Sequence, residues 1–322
     1  METTTVFDNE DDAYENLFYE YEEYNTEFKA SDPYIAIPII LSIVILLSLI
    51  GHVLVVAISV FYLRLQSPII FFIRNLAVSD LLFTVYLVFW VYDHIWGFTL
   101  RIAAWKAAHF IFAVGFYSTL VFLVLMSVQR YTSVVHSQSS WKKGCCVTLC
   151  AWAVSILVAL PALLNIVPDA QYYTYSIFAA VIVALVYKHI IIVVWAFLIM
   201  GFCYIRILQT IFKSPTNQRH RITGLAFFLV ATYFIFWAPF NIMLFLDILR
   251  YHQMITYNME HFSYAWEICR FLAYTRCCLN PVIYGLFGIK YRKEMREIFE
   301  REVIPNSAEM GTTEHHQLQQ FN

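Results

Sequence analysis

Seven apolar runs separated by short polar intervals pattern most of the chain, near 34–62, 69–92, 107–128, 145–164, 175–203, 222–249 and 262–287. Each reaches the ~20 residues that a helix needs to cross roughly 30 Å of hydrocarbon. The runs are continuous rather than alternating, which excludes a closed β-barrel. Inside lipid the backbone must satisfy its own polar groups, so each run is expected to be a helix. The expected fold class is therefore an all-α integral membrane protein, a seven-transmembrane helix bundle over 34–287.

The flanking segments differ in kind. Residues 1–33 form an acidic, tyrosine-rich tail. Residues 288–300 project as a short amphipathic helix after the seventh span: Phe287, Tyr291, Met295 and Phe299 share one side, with Lys290, Lys293 and Arg296 towards the other. That pattern suits a helix on a membrane surface, its basic groups beside anionic lipid headgroups. Residues 301–322 remain as a polar tail.

Composition agrees with the pattern. Hydrophobic residues make up 60% of the 322 and charged ones 14%, whereas soluble domains carry about 25% charge. The net charge of −2 says little, but its distribution orients the bundle. With the N-terminus outside, inner segments hold Arg64, Arg130, Lys142, Lys143, Arg206, Lys213, Arg219, Arg221, Lys290, Arg292, Lys293, Arg296 and Arg301. Outer ones hold Lys29, Arg101, Lys106 and Arg250. Basic residues accumulate in cytoplasmic loops, so the N-terminus is expected outside and the C-terminus inside. No apolar core precedes residue 34, so the first helix is expected to serve as the insertion signal. The cysteines (Cys145, Cys146, Cys150, Cys203, Cys269, Cys277, Cys278) all fall in helices or at their inner ends. No extracellular disulfide is expected.

Several residues need a reason to lie at membrane depth. Asp80 sits halfway along the second run, and an intramembrane carboxylate is a functional site by default. Arg130 closes the third run, where a snorkelling arginine is the ordinary alternative. Glu267 and Arg270, three apart, can pair on one helix face. Arg276 lies deeper and needs a partner or water. Pro239 in FWAPFN and Pro281 in LNPVIY each free a backbone carbonyl and permit a bend.

Together, LAVSD, QRY, Trp152, FWAPF and NPVIY resemble the rhodopsin-like (class A) G-protein-coupled receptors over about residues 34–300. SVQRYTSVV, FWAPFNIMLFL, TRCCLNPVIYGLFG and IKYR resemble the chemokine receptors. FCYIRILQTIFKSPTNQRHRI and Arg270 point to their XC-type (lymphotactin) branch.

The resemblance implies a plasma-membrane receptor for a basic chemokine, signalling through a heterotrimeric G protein of the inhibitory class, and no enzyme. The tail carries eleven of the 23 carboxylates within its first 32 residues, against Lys29 alone. An unfolded acidic arm of this kind speeds encounter with a cation. Tyr14, Tyr19, Tyr21 and Tyr24 are the tail's ligand-binding and sulfation candidates. Trp90, Phe112, Phe116, Lys188, Trp237, Phe240, Asp247, Glu267 and Arg270 match the family's pocket, and aromatic walls with few charges suit a ligand cleft. Trp237 and Pro239 would form a hinge letting helix six swing outward, with Arg130, Tyr204, Asn280, Pro281 and Tyr284 as inner switches. No organic cofactor is implied; Asp80 and Thr119 would hold a sodium ion in the inactive state.

The sequence departs from that pattern at four places. Gln129 stands where an acidic residue should precede Arg130. His52 replaces an asparagine near Asp80. Arg276 adds a positive charge beside the same cavity, and Trp105 occupies the position of the helix-three cysteine. Gln129 favours an alternative, a scavenging receptor that couples weakly to G proteins; a remote alternative is another peptide-binding class A receptor. An ion carrier lacks repeats or a continuous polar path. His94, His109 and His189 are too scattered for enzyme chemistry. Membrane lipid is an expected partner and nucleic acid is not; Ser307, Thr312 and Thr313 offer arrestin only a thin phosphorylation signal.

Overall fold

The computed structural model describes residues 32–61, 68–96, 102–136, 144–165, 175–213, 217–256 and 258–284. The tail tyrosines Tyr14, Tyr19, Tyr21 and Tyr24, the loop around 167–174 and the segment 288–322 lie outside them. Seven helices follow in chain order: α1 (Asp32–Phe61), α2 (Pro68–Trp96), α3 (Ile102–Val135), α4 (Gly144–Asn165), α5 (Tyr175–Lys213), α6 (Asn217–Tyr251) and α7 (Met259–Thr275). Six are long and apolar enough to cross a membrane. The seventh tightens into a 3₁₀ turn at Arg276–Cys278 and resumes as helix over 279–284.

Three helices outrun their apolar patterns. α3 extends beyond the expected 107–128 at both ends, α5 runs on past residue 203, and α6 starts before residue 222. Apolarity marks where lipid must be met; hydrogen bonding continues a helix into polar flanks such as Gln129-Arg130.

Helix α3 forms the axis. It packs against α2, α4, α5 and α6, and Phe116, Leu120, Phe122, Leu123 and Met126 are all essentially buried. Helix α1 is the opposite case, with Ile39, Ile43, Leu46, Ile50 and Leu54 exposed on one side while Leu41, Val44, Ile45, Ser48 and His52 are buried on the other. An outward apolar face of this kind fits a lipid surround, because water would demand polar cover.

Several buried serines are satisfied within their own helices. Ser79, Ser127 and Ser155 each donate to the carbonyl four residues back, at 2.7–3.0 Å. Between helices, Trp152 Nε1 donates to Asn75 Oδ1 at 3.1 Å, tying α4 to α2. At the end of α6, Gln253 takes a φ of 56° while Met254 N–H reaches back to Leu249 O at 2.9 Å. This is the left-handed closure that usually selects glycine.

Two glycines set how closely helices approach. A Cβ on Gly115 would lie 2.9 Å from Phe83 N and 3.1 Å from Ser79 O, against the backbone of α2. One on Gly51 would lie 2.5 Å from Pro281 Cβ. Small residues permit such contact where no hydrophobic force draws helices together. Gly201 and Gly224 have nothing within 4 Å. In detergent, Gly51→Ala and Gly115→Ala should each destabilise by about 1–3 kcal/mol through overpacking. Gly201→Ala should be neutral or stabilising by up to ~1 kcal/mol through helix propensity. Equal effects at all three positions, read by thermal unfolding, would refute the close-approach assignment.

Candidate functional site

The outer half of the bundle is lined by aromatic rings from four helices. Trp90 and Tyr274 lie 5.9 Å apart, Tyr274 and Phe83 5.8 Å, and Phe83 and Trp237 5.9 Å. Phe116 meets Trp237 edge-on at 4.6 Å, and Phe112 packs on Tyr86 at 4.7 Å. Phe240 connects Trp237 (5.9 Å) to Trp266 (5.4 Å). These spacings fall in the range where aromatic pairs attract through offset or edge contacts. The result is a ring-to-ring path from the outer end of α2 to Trp237, two residues before Pro239.

An ion pair lies among these rings. Arg270 and Glu267 form an ion pair on α7, both half-buried, and the Arg270 guanidinium lies 5.1 Å from the Trp90 ring centre. Pairing three residues apart is what helix geometry offers, and the aromatic face adds a cation–π contact.

Two pocket candidates face elsewhere. Lys188 donates to Val158 O at 2.9 Å and lies 5.5 Å from the Tyr117 ring, turned towards α4. Asp247 pairs with Arg250 on its own helix at 3.6 Å, largely in the open. Lys188 can reach because a four-carbon stem lets its ammonium extend to that carbonyl.

A polar chain stands beside the hinge. Asn241 Nδ2 donates to Trp237 O at 2.7 Å. Asn241 Oδ1 is an acceptor, so His189 Nε2 donates to it at 3.2 Å. That leaves Nδ1 to accept from the Tyr117 hydroxyl at 3.2 Å. Helices α3, α5 and α6 are thus joined at the Trp237 carbonyl, where Pro239 has already loosened the helix. Tyr117 and Asn241 are absent from the residues singled out in the sequence, as are Phe83, Tyr86, Tyr274 and Trp266, and His189 was weighed there only as an enzyme residue. A polar atom at each of Tyr86, Tyr117, His189 and Tyr274 inside an apolar run was the available signal.

The midplane holds a charged hub. Asp80, 1% exposed, accepts from Arg276 Nη1 at 3.0 Å and from Thr119 Oγ1 at 3.4 Å through Oδ1. Its Oδ2 accepts from Asn280 Nδ2 and faces His52 Nε2 at 3.3 Å. His52 Nδ1 lies 2.9 Å from the Ser48 carbonyl and 3.2 Å from Ser48 Oγ, and Ser48 Oγ lies 2.7 Å from Thr84 Oγ1. Ser48 Oγ is also 3.5 Å from Cys277 O, the carbonyl that Pro281 leaves without its helical donor. Four helices therefore meet at one carboxylate.

Towards the inner end Gln129 and Arg130 are both buried. The Gln129 Oε1 and the hydroxyls of Tyr204 and Tyr284 have no partner among the described residues. Buried polar atoms need water or a partner that another conformation supplies.

The model of the seven-transmembrane receptors of the rhodopsin family matches residues 51–284. Chemokine XC receptor 1 of Mus musculus is 36% identical over 271 residues, covering 82% of each chain. Its Homo sapiens counterpart is 34% identical over 274 residues, covering 83% of this chain and 82% of that protein. C-C chemokine receptor type 3 of Macaca mulatta is 27% identical over 296 residues, with 83% and 80% covered.

The Tyr86 and Tyr274 hydroxyls, 3.3 Å apart and buried, provide a test of the aromatic well. Tyr86→Phe or Tyr274→Phe alone strands the other hydroxyl and should cost about 1–3 kcal/mol, whereas the double Phe variant should lie close to wild type. Additive losses in a thermal-unfolding cycle would show that the two hydroxyls do not meet.

Proposed function

On the premise that this chain belongs to the rhodopsin family of seven-transmembrane receptors, and within it to the chemokine receptors, we propose that it captures a basic chemokine outside the cell and activates a heterotrimeric G protein inside. The multi-pass bundle sits in the plasma membrane, N-terminus outside and C-terminus inside. The acidic tail, with Tyr14, Tyr19, Tyr21 and Tyr24, makes the first contact. The aromatic well around Trp90, Phe112, Phe116, Phe240, Glu267 and Arg270 makes the second. The G protein is of the inhibitory class, arrestin is a further partner, and the ligand acts only through its different affinity for two states.

The observation that carries this reading is the unbroken aromatic path from Trp90 to Trp237. A ligand that displaces Arg270 from Trp90 disturbs rings whose packing continues to the hinge, where Pro239 and the Asn241 bond to Trp237 O give helix six two ways to be held. Outward movement of α6 would then offer Arg130, Tyr204 and Tyr284 new partners at the inner face. Interior packing has discrete arrangements rather than a continuum, so a small outer shift can become a switch.

One feature favours a second reading, a scavenging receptor. Gln129 replaces the acidic partner of Arg130 that the family pattern implies, and it brings no charge to hold that guanidinium. Nucleotide exchange on an inhibitory G protein, measured beside ligand uptake with a panel of XC and CC chemokines, separates the two. Exchange supports signalling; uptake without exchange supports scavenging.

The tail's role has its own test. Reversing Glu20, Glu22 and Glu23 to lysine should slow association of a basic chemokine by about tenfold at low salt and flatten its salt dependence. An unchanged association rate would remove electrostatic capture from the account.

A further inference from the structure

We propose that Arg276 is the resident cation of this receptor's core: its guanidinium supplies the counter-charge of Asp80, so the carboxylate takes up no sodium ion. The inference holds whatever ligand the outer well accepts.

A carboxylate at membrane depth has to find positive charge. In the family pattern a sodium ion held at Asp80 and Thr119 would provide it. Here the carboxylate's surroundings do not fit that ion. An ionised carboxylate offers about four lone-pair directions, and three donors already occupy its two oxygens, Arg276, Thr119 and Asn280, with the His52 ring packed 3.3 Å from Oδ2. The guanidinium is a permanent charge. At 3.0 Å from Oδ1 it repels any second cation brought to the same oxygen, with little solvent to screen it.

Space gives an independent reason. The cavity above Asp80, bounded by Phe116, Thr119, Tyr233, Trp237 and Arg276, is small. It has room for about one water. An ion there would keep almost no water of its own and would have to draw its oxygen ligands from side chains that Arg276 already engages.

The 3₁₀ turn delivers the charge to this place. Arg276 opens the turn, is 4% exposed, and is followed within five residues by Asn280 and Pro281. Its guanidinium also lies 4.9 Å from the ring of Tyr233 on α6. A mobile ion could leave the core when α6 moves, but a tethered one cannot. The arginine therefore holds α7 to α2 while touching the helix that must swing. The conformational balance of this receptor is set from within and does not follow the sodium concentration outside.

The full-length protein, purified in detergent without ligand, tests this directly. Thermal unfolding is measured in sodium chloride and in choline chloride at equal ionic strength. Wild type should melt at the same temperature in both, because an ion that does not bind the folded state adds nothing to its stability. Arg276→Gln should melt lower in choline and regain several degrees in sodium, saturably, with potassium less effective; Asp80→Asn placed on top should abolish that gain. A saturable sodium-specific shift in wild type that Asp80→Asn removes would overturn the proposal, as would a folded Arg276→Gln protein indifferent to sodium. If Arg276→Gln does not fold, the wild-type and Asp80→Asn measurements still decide.

Discussion

A charge buried in the middle of a lipid-embedded bundle has to be met by its own surroundings, and Asp80 imposes that condition on everything around it. An unpaired carboxylate at the centre of a membrane helix costs about 2.5–3.5 kcal/mol on insertion scales. The chain meets the demand with side chains from three other helices: His52 from α1, Thr119 from α3, and Arg276 and Asn280 from the α7 region. Each must come within hydrogen-bond distance, so the helices are drawn together at the midplane. Gly51 and Gly115 let them arrive, one against Pro281 and the other against the backbone of α2. Breaking a buried pair by removing one partner is far more damaging than replacing both. The hub thus specifies this arrangement of helices even where its net contribution to stability is modest.

Outside the hub the two halves of the bundle have different chemistry. Above it, aromatic rings fill the space with large, adaptable surfaces, and the Glu267–Arg270 ion pair lies among them. Below it, hydroxyl and amide groups are buried without partners among the described residues. Trp237 touches both regions: it closes the cavity over Asp80 and ends the aromatic path. Pro239 and the Tyr117–His189–Asn241 chain make the same segment of α6 the place where backbone hydrogen bonding can be exchanged. A bundle stiff at its centre and negotiable at one helix is suited to transmitting a change from its outer to its inner face.

Much of this was legible in the amino-acid sequence because membrane burial is a severe filter. Seven apolar runs sufficed for the bundle, the family motifs for its class, and the spacing of Glu267 and Arg270 for their pairing. Arg276 was legible as a residue in need of a partner. The resemblance placed it near the cavity of Asp80, 196 positions away; the direct pairing at 3.0 Å was not legible, because helix packing and not chain order sets it. Lys188 and Asp247 look like pocket residues by position along their helices. Rotation about the helix axis and a flexible stem turn the first towards Val158, and a neighbouring arginine on its own face engages the second. Asn241 went unnoticed, and His189 was set aside, because single polar residues in apolar runs look alike until their partners are seen.

The central claim is that Asp80 and Arg276 stabilise the bundle as a pair, and a double-mutant cycle measures that most directly. Asp80→Asn, Arg276→Gln and the double variant are compared with wild type by thermal unfolding in choline chloride. Each single change should be strongly destabilising and the double much less so than their sum, with a coupling of at least about 1 kcal/mol as expected for residues in direct contact. Strictly additive losses would contradict the account, because two groups that do not share an interaction leave no coupling behind.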